Sequence, residues 1–378
     1  MMYAKADAKA SSRVAPQDIF PVPAFPGQDF FISKGDVKMK KLIALLLSVL
    51  LVIPFVGCGE KKGEDYDYTV GLCNYVDDAS LNQIADSIKA RLSELAEKNG
   101  KKINVIYDNC NGDANVLSQI IANFKSKKVD VMAGIATPVA MAMQGATEDE
   151  KMPIVFAAIS DPVGTGLADS FEKPGHNLTG TSDFLDTNTI LKLMLLTNPD
   201  IKKVGLLYDI GQDNSTLSIN DAKKFLADKG IEVVERTGTN VSEIVLAAEA
   251  LVADKVDAVF TPTDNTVMNA ELSIYETFLN AKIPHFAGAD SFALNGAFLG
   301  YGVDYENLGF ETAEMIYEIL SGKKPADTPI KTFDNGTATI NEETAAALGY
   351  DYDKLAEIFA PNCTKVQKIK TAHYFGDK

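Results

Sequence analysis

The stretch that decides the fold runs from Lys128 to Pro162 and reads KVDVMAGIATP, a short amphipathic run, and then KMPIVFAAISDP. Each half is a short apolar run that stops at a hydroxyl or carboxylate side chain followed by proline. Such a run predicts a strand buried on both faces of a parallel sheet, and the proline suits the first turn of a following helix. Thr137, Ser160 and Asp161 are therefore expected at the carboxyl ends of adjacent strands, where open α/β sheets bind ligands.

The same pattern occurs a second time farther along the chain. Residues 255–265 read KVDAVFTPTDN and residues 282–290 read KIPHFAGAD. An upstream pair also matches, because VIYD at 105–108 is similar to LLYD at 206–209. Chance similarity between short apolar runs is the alternative, but three matches in the same order indicate a duplicated strand–turn–helix unit. The sequence thus predicts two similar α/β lobes that form a clamp.

Composition excludes several classes of function. The 378 residues are 46% hydrophobic, which is enough for two domains of ordinary size. A formal net charge of −16 argues against binding to a nucleic-acid backbone or a polybasic contact with a membrane. With no tryptophan and three histidines, a histidine-built metal site is not expected. No phosphate loop, dinucleotide fingerprint or nucleophile elbow is present, so we expect neither enzyme activity nor a cofactor.

Three further residues have structural alternatives. His285 falls inside an apolar strand and has no serine partner in sequence, so it is predicted to be a core residue and not a catalytic base. Cys73 and Cys110 follow strands that are expected to be neighbours. They form either a disulfide, as exported proteins allow, or two small buried thiols.

The N-terminal region has the pattern of an export signal. Residues 1–38 show no clear period, and we interpret them as an extension ahead of the true start at Met39. Residues 39–57 have a basic start, a short apolar core and small residues near the end. This pattern predicts a signal peptide and is too short for a transmembrane helix.

A lipid anchor is predicted at the end of that signal. The tetrapeptide FVGC, which ends at Cys58, resembles a bacterial lipobox, although Phe55 stands where leucine is usual. Cleavage before Cys58 and lipid attachment to its sulfur would anchor the protein to the cell membrane from outside the cytoplasm. The alternative is a cleaved secretory signal with an incidental cysteine. Residues 58–67 are charged and have no apolar period, as expected of a tether.

From Tyr68 onward, strand patterns alternate with helical patterns at a spacing typical of parallel sheets covered on both faces. Residues 177–183, NLTGTSD, are predicted to cross between the lobes, with Gly180 as a hinge position. The lobes are expected to comprise the following segments: 68–181 plus part of 303–335 for lobe 1, and 182–302 plus part of 336–366 for lobe 2.

Several motifs resemble one known family. They are ATP at 136–138, PIVFAAISDPVGTGL at 153–167, NLTG at 177–180, LYD at 207–209, PTDN at 262–265 and GVDYENLG at 302–309. In their order and number they resemble the bacterial ABC-transporter substrate-binding lipoproteins whose better-known members bind tryptophan or tyrosine. The resemblance covers essentially everything from Tyr68 onward. It implies a type I periplasmic-binding fold, with two Rossmann-like lobes, a small ligand held between them, and ABC permease subunits as partners.

The polar strand ends predict the chemistry of the ligand. Hydroxyls of Thr137 and Ser160 beside helix-start amides suit a carboxylate, although Thr137 has the alternative role of an ordinary helix N-cap. Carboxylates at Asp161, Asp264 and Asp290 suit an ammonium group. Their alternatives are also structural, because Asp161 can cap the turn before Pro162 and the other two can start helices.

The remaining candidate contacts are at other strand ends. Asn265 follows Asp264, and Asn214 is either a cap or a ligand contact. Asn74 occupies a rim position where relatives often carry glutamine, so the resemblance leaves the exact ligand open. Tyr75 is the candidate stacking wall, since the chain has no tryptophan.

Together these residues predict a lipid-anchored receptor for a zwitterionic α-amino acid with an aromatic or large apolar side chain, which it delivers to an ABC permease. An extracellular sensory lipoprotein that reports to a membrane signalling partner is the alternative.

Overall fold

The computed structural model describes residues 65–148, 151–333 and 336–371. The predicted extension, signal peptide, lipidated Cys58 and most of the tether lie outside these residues. No helix among the described residues is long and apolar enough to cross a membrane. In chain order the elements are β1 (Tyr68–Asn74), α1 (Ala79–Lys98), β2 (Ile103–Asn109), α2 (Ala114–Ser126), β3 (Val131–Ile135), α3 (Thr137–Thr147), β4 (Ile154–Ala157), β5 (Leu178–Gly180), α4 (Thr187–Thr197), β6 (Lys203–Tyr208), α5 (Asp213–Asp228), β7 (Glu232–Thr237), α6 (Val241–Ala253), β8 (Ala258–Thr261), α7 (Asn265–Asn280), β9 (His285–Ala287), α8 (Asp290–Leu294), β10 (Leu299–Gly302), α9 (Tyr305–Leu320), β11 (Thr337–Asn341), α10 (Glu342–Ala347), α11 (Tyr352–Phe359) and β12 (Lys365–Ile369).

Lobe 1 is built on a five-stranded sheet in the order β2-β1-β3-β4-β5. All of its strand pairs are parallel. Every residue of β3 and of β4 is buried, as expected for strands covered by helices on both faces. This burial confirms the prediction made from the two apolar runs between Lys128 and Pro162.

Helix α9 returns from the second sheet to the first. It packs against α1 and against the strands β3 and β4. A Cβ atom on Gly309 of α9 would lie 2.6 Å from the Cβ of Ser87 in α1, so the glycine allows the two helices to approach closely. Beyond α9, Lys331 forms a parallel bridge with Thr181 and extends the edge of the lobe 1 sheet.

Lobe 2 is built on a seven-stranded sheet in the order β12-β11-β10-β9-β8-β6-β7. Its strands are parallel except for the antiparallel pair β10 and β11. The exception follows from the chain path. Strand β10 runs toward lobe 1, where the chain forms α9, and the returning chain enters β11 from that same end of the sheet. The predicted α/β fold with parallel sheets is therefore confirmed, with this pair as an antiparallel exception.

The predicted crossing at residues 177–183 is only partly correct. Leu178–Gly180 forms β5, which pairs with β4 at the edge of the lobe 1 sheet, and the chain leaves the sheet only after Thr181. A Cβ atom on Gly180 would overlap the carbonyl oxygen of Phe156. Glycine is therefore required for close packing of the two strands, and the hinge role of Gly180 stays a prediction.

Candidate functional site

A cavity lies between the two lobes at the carboxyl ends of their central strands. It holds about 340 Å³ of empty space, its open mouth included. Both lobes contribute to its wall, as the duplicated strand–turn units predict. The lining residues are Ser80, Leu81, Ala136, Thr137, Ala158, Ser160, Asp183, Asn214, Thr263, Asn265, Met268, Ala289 and Tyr305.

The wall contributed by lobe 1 contains strained backbone. Ala136 directly follows β3 and has φ 76° and ψ 152°, a region that is nearly restricted to glycine. Ala158 follows β4 with φ 56°. Positive φ at a residue with a Cβ atom costs about 1–3 kcal/mol, and such residues concentrate at binding sites. Two strained alanines at adjacent strand ends therefore mark this wall as a candidate binding surface.

Helix α3 begins at this wall without a capping side chain. Its N-cap residue is Ala136, and Pro138 occupies the first turn. Thr137 lies inside the first turn, so the structure does not support the alternative in which it is an ordinary helix N-cap. Its hydroxyl is buried and has no hydrogen-bond partner among the described residues. The uncapped helix start and this free hydroxyl together offer donors to an anionic group.

A string of hydrogen bonds crosses from lobe 1 to lobe 2 at the cavity. The Ser160 hydroxyl donates to Oδ1 of Asp183 at 3.0 Å and lies 2.9 Å from Oγ1 of Thr263 in lobe 2. Because a hydroxyl has a single hydrogen, Thr263 must be the donor to Ser160. The backbone carbonyl of Thr263 in turn accepts from Nδ2 of Asn214 at 2.6 Å.

Asp183 supplies the charge of the site. It is the lone carboxylate among the described residues that line the cavity, and none of them is lysine, arginine or histidine. Burial raises the pKa of Asp183 to about 6, although the Ser160 hydroxyl opposes this shift. A buried carboxylate is stabilised when a cation pairs with it, so this cavity is suited to a cationic group.

Sequence reasoning missed Asp183 and Tyr305. Asp183 follows β5 in the segment NLTGTSD, and a polar residue shortly after a strand was the signal available. Tyr305 is the first residue of α9 and reaches the cavity only because that helix returns to lobe 1. It is fully buried, and burial raises its phenol pKa well above the usual value, with Asp183 adding to the shift. Tyr305 is therefore a neutral ring in the wall.

The buried carboxyls make the stability of the unliganded protein depend on pH. Burial raises the pKa of Asp78, Asp183 and Asp264 to about 6, from an ordinary value of 3.8. Their stabilising contribution is fully present below the unfolded pKa and is lost as the pH rises through the folded pKa. We expect the melting temperature to be higher at pH 5 than at pH 7.5, with a gain of about 1 kcal/mol per group.

A calorimetric melt at the two pH values tests this expectation. The Asp183→Asn variant should lose part of the difference, because one of the three groups is removed. A wild-type melting temperature that rises from pH 5 to pH 7.5 would contradict the assignment.

Three residues of lobe 1 that were predicted to contact the ligand do not line the cavity. The Asn74 side chain accepts from the Tyr75 amide at 2.8 Å and donates to Oδ1 of Asn82 at 3.0 Å. Tyr75 packs against the core of the lobe. Asp161 accepts a hydrogen bond from the Gly164 amide at 2.7 Å. This bond matches the alternative in which Asp161 caps a turn.

In lobe 2, Asp264 is used entirely in hydrogen bonds within the lobe and is absent from the lining. Oδ1 accepts from the amides of Thr266 and Val267 at the start of α7. Oδ2 accepts from the Asp209 amide at 2.8 Å and the Ser215 hydroxyl at 2.7 Å. This arrangement matches the helix-start alternative.

Asn265 and Asp290 of lobe 2 differ in their relation to the cavity. Asn265 lines the cavity, and its Nδ2 donates to Oε1 of Gln212 at 2.8 Å. Asp290 is outside the lining, but its Oδ1 accepts from the hydroxyl of Ser80 in lobe 1 at 2.5 Å. This contact joins the two lobes in a closed arrangement.

The other candidate groups are structural. Cys73 and Cys110 are buried and free, which matches the alternative of two thiols. His285 is buried, with Nδ1 3.1 Å from Oε1 of Glu271 and Nε2 2.8 Å from Oγ1 of Thr261. Its predicted place in the core is confirmed. Among the described residues, no cluster of histidine, cysteine and carboxylate side chains could hold a metal ion.

Comparison with known proteins assigns the family. The family model for ABC transporter substrate binding proteins matches residues 69–357. A curated tyrosine-binding protein of Clostridioides difficile (strain R20291) is 32% identical over 332 residues, which are 85% of this chain and 95% of the relative.

Solved structures agree in fold. An ABC domain in complex with L-Trp from Streptococcus pneumonia superposes with a TM-score of 0.73 at 29% identity, covering 79% of this chain and 99% of that one. The ligand-free, open structure of a substrate-binding protein with adhesive properties from Clostridium difficile superposes with a TM-score of 0.61 at 31% identity, covering 81% of this chain and 100% of that one. The α/β architecture is that of type I periplasmic-binding proteins. The chain belongs to the ABC transporter substrate-binding proteins, which are extracytoplasmic solute-binding proteins and not enzymes.

Proposed function

We propose that the protein binds a zwitterionic α-amino acid with an aromatic side chain between its lobes and delivers it to the permease of an ABC importer. The observation that carries this proposal is the charge of the cavity: a single carboxylate, Asp183, and no cationic side chain among the described lining residues. The names of the relatives, one tyrosine-binding and one in complex with L-Trp, support the same class of ligand.

Each end of an amino acid has a matching group. The ammonium group pairs with Asp183, because a charge-assisted hydrogen bond to a buried carboxylate is among the stronger polar contacts. The ligand carboxylate meets the Thr137 hydroxyl and the uncapped start of α3, where the helix dipole favours negative charge. A dicarboxylate or phosphate would bring excess negative charge without a cation to receive it, so such ligands are disfavoured.

The side chain of the ligand meets the remaining wall. Tyr305 supplies the aromatic ring of the lining, and Leu81 and Met268 supply apolar surface. Aromatic rings contribute large contact areas and pair favourably with one another. In this proposal Tyr305 takes the stacking role that the sequence had suggested for Tyr75.

A ligand panel tests the function. We expect aromatic amino acids to raise the melting temperature of the protein, because a ligand that binds only the folded state stabilises it by mass action. Sugars, purines and dicarboxylic amino acids in the same panel should have no effect. Stabilisation by a sugar or a purine with no response to any amino acid would overturn the proposal.

The lipid anchor is part of the same proposal, supported by the lipobox-like sequence that ends at Cys58. Cys58→Ser should prevent lipid attachment and move the protein from the membrane fraction to the soluble fraction or the medium, because the acyl chains supply the membrane affinity. Fractionation of cells that express the wild type and the variant checks this expectation. Membrane-extracted wild-type protein with an unmodified N-terminus other than Cys58, found by intact-mass analysis, would contradict it.

A further inference from the structure

We propose that Asn214 selects amino acids whose side chain carries a hydrogen-bond donor, so that tyrosine and tryptophan bind and phenylalanine is rejected. This inference rests on the proposed function and extends it from a ligand class to a selection within that class.

The orientation of the Asn214 amide is fixed by its neighbour. Asn214 lies in the first turn of α5, is 4% exposed, and lines the cavity. Its Nδ2 donates to the backbone carbonyl of Thr263 at 2.6 Å. Because a carbonyl oxygen can only accept, the flipped amide would bring two acceptors together. The nitrogen of this amide is therefore engaged within the protein, and the oxygen is the atom left for a partner in a residue that lines the cavity.

That oxygen lacks a donor. Oδ1 of Asn214 is buried and has no hydrogen-bond partner among the described residues. Buried acceptors in folded proteins are nearly always paired, so the unpaired oxygen indicates a place for a donor that comes with the ligand. An amide oxygen accepts hydrogen bonds only, and the ligand atom that meets it must carry an N–H or O–H group.

The ammonium group of the ligand is not this donor, because it is assigned to the other acceptor of the cavity. Asp183 is connected to Asn214 through Ser160 and Thr263, in a string of three hydrogen bonds that crosses between the lobes. The carboxylate of Asp183 and the side-chain amide of Asn214 are thus the two ends of that string. In this proposal the ammonium group pairs with Asp183, and a second donor on the ligand pairs with Oδ1 of Asn214. The phenol of tyrosine and the indole N–H of tryptophan supply one, and phenylalanine has none.

The expected discrimination is large. Sites built to hydrogen-bond a ligand hydroxyl reject the analogue that lacks it, because the buried polar group is then left unpaired. We expect wild-type protein to bind tyrosine at least ~100-fold more tightly than phenylalanine. O-methyltyrosine, which keeps the ring and the oxygen but has lost the donor, should bind as weakly as phenylalanine.

The test is calorimetric titration of tyrosine and phenylalanine into the wild type, Asn214→Leu and Thr137→Val. Asn214→Leu should weaken tyrosine binding by about 100-fold and change phenylalanine binding little, so that the ratio of the two affinities approaches one. Thr137→Val is the matched control, because it removes a contact to the carboxylate that both ligands share and should leave the ratio unchanged.

Three outcomes would overturn the inference: equal wild-type affinities for tyrosine and phenylalanine, tight binding of O-methyltyrosine, or an equal loss of affinity for both ligands in Asn214→Leu. The wild-type titrations decide the matter even if the variant fails to fold. Failure of the proposed function is distinguishable, since the wild type would then bind no aromatic amino acid at all.

Discussion

Asp183→Asn is expected to weaken amino-acid binding by at least ~100-fold, because the variant leaves the ligand's ammonium group in a closed cavity without a counter-charge. The same substitution should leave the unliganded protein folded and no less stable at neutral pH. Burial raises the pKa of Asp183 to about 6, so the ionised carboxylate is unfavourable in the empty site, and the neutral amide removes that cost. Titration calorimetry and thermal melts on the same preparation measure both effects.

Asp161→Asn is the matched control for that experiment. Asp161 is next in sequence to Ser160, which lines the cavity. Its own carboxylate accepts a hydrogen bond from the Gly164 amide and does not line the cavity. The variant likewise removes one negative charge and should change affinity by less than about twofold. Equal losses in the two variants would indicate a general effect of charge, and an unchanged affinity in Asp183→Asn would remove Asp183 from the site.

Asp264→Ala is expected to lower the free energy of unfolding by about 3 kcal/mol. Its carboxylate caps α7 and accepts hydrogen bonds from the Asp209 amide and the Ser215 hydroxyl. The truncation leaves these buried donors without an acceptor, and each such group costs about 1–3 kcal/mol. The raised pKa of Asp264 reduces the net loss, because an ionised buried carboxylate also carries a desolvation cost. Denaturant unfolding of the wild type and the variant measures the difference.

Asp113→Ala provides the comparison for Asp264→Ala. Asp113 caps α2 in the same way, with Oδ1 accepting from the amides of Asn115 and Val116, but it is exposed. Its loss should cost only about 1 kcal/mol. The folded Asp264→Ala protein should keep its ligand affinity. A variant with unchanged stability and lost binding would show that Asp264 contacts the ligand after all.

The fold was predictable because its signals are local. Continuous apolar runs that end in polar residues specify buried parallel strands, and their repetition specified two lobes. The antiparallel pair of β10 and β11 depends on where the chain returns from α9, which no local pattern encodes. The place of β5 at the sheet edge was missed for a similar reason, since a strand of three residues leaves too little pattern.

The candidate site was only partly predictable. Thr137, Ser160, Asn214 and Asn265 do line one cavity, since strand ends in a parallel sheet converge at one edge. The carboxylates were harder to place. An aspartate between a strand and a helix is equally suited to a ligand and to the helix start, and for Asp264 the local amides take the carboxylate. Asp183 lies in the segment between β5 and α4, which has no strand or helix pattern to mark it.

The most direct test of the central claim is calorimetric titration of the wild-type protein with L-tyrosine and its two half-analogues. Tyramine lacks the carboxylate, and 3-(4-hydroxyphenyl)propionate lacks the ammonium group. If Asp183 and the start of α3 hold the two ends of a zwitterion, L-tyrosine should bind with one-to-one stoichiometry and each analogue at least ~100-fold more weakly. Binding of either analogue as tightly as L-tyrosine would contradict recognition of an amino acid in this cleft.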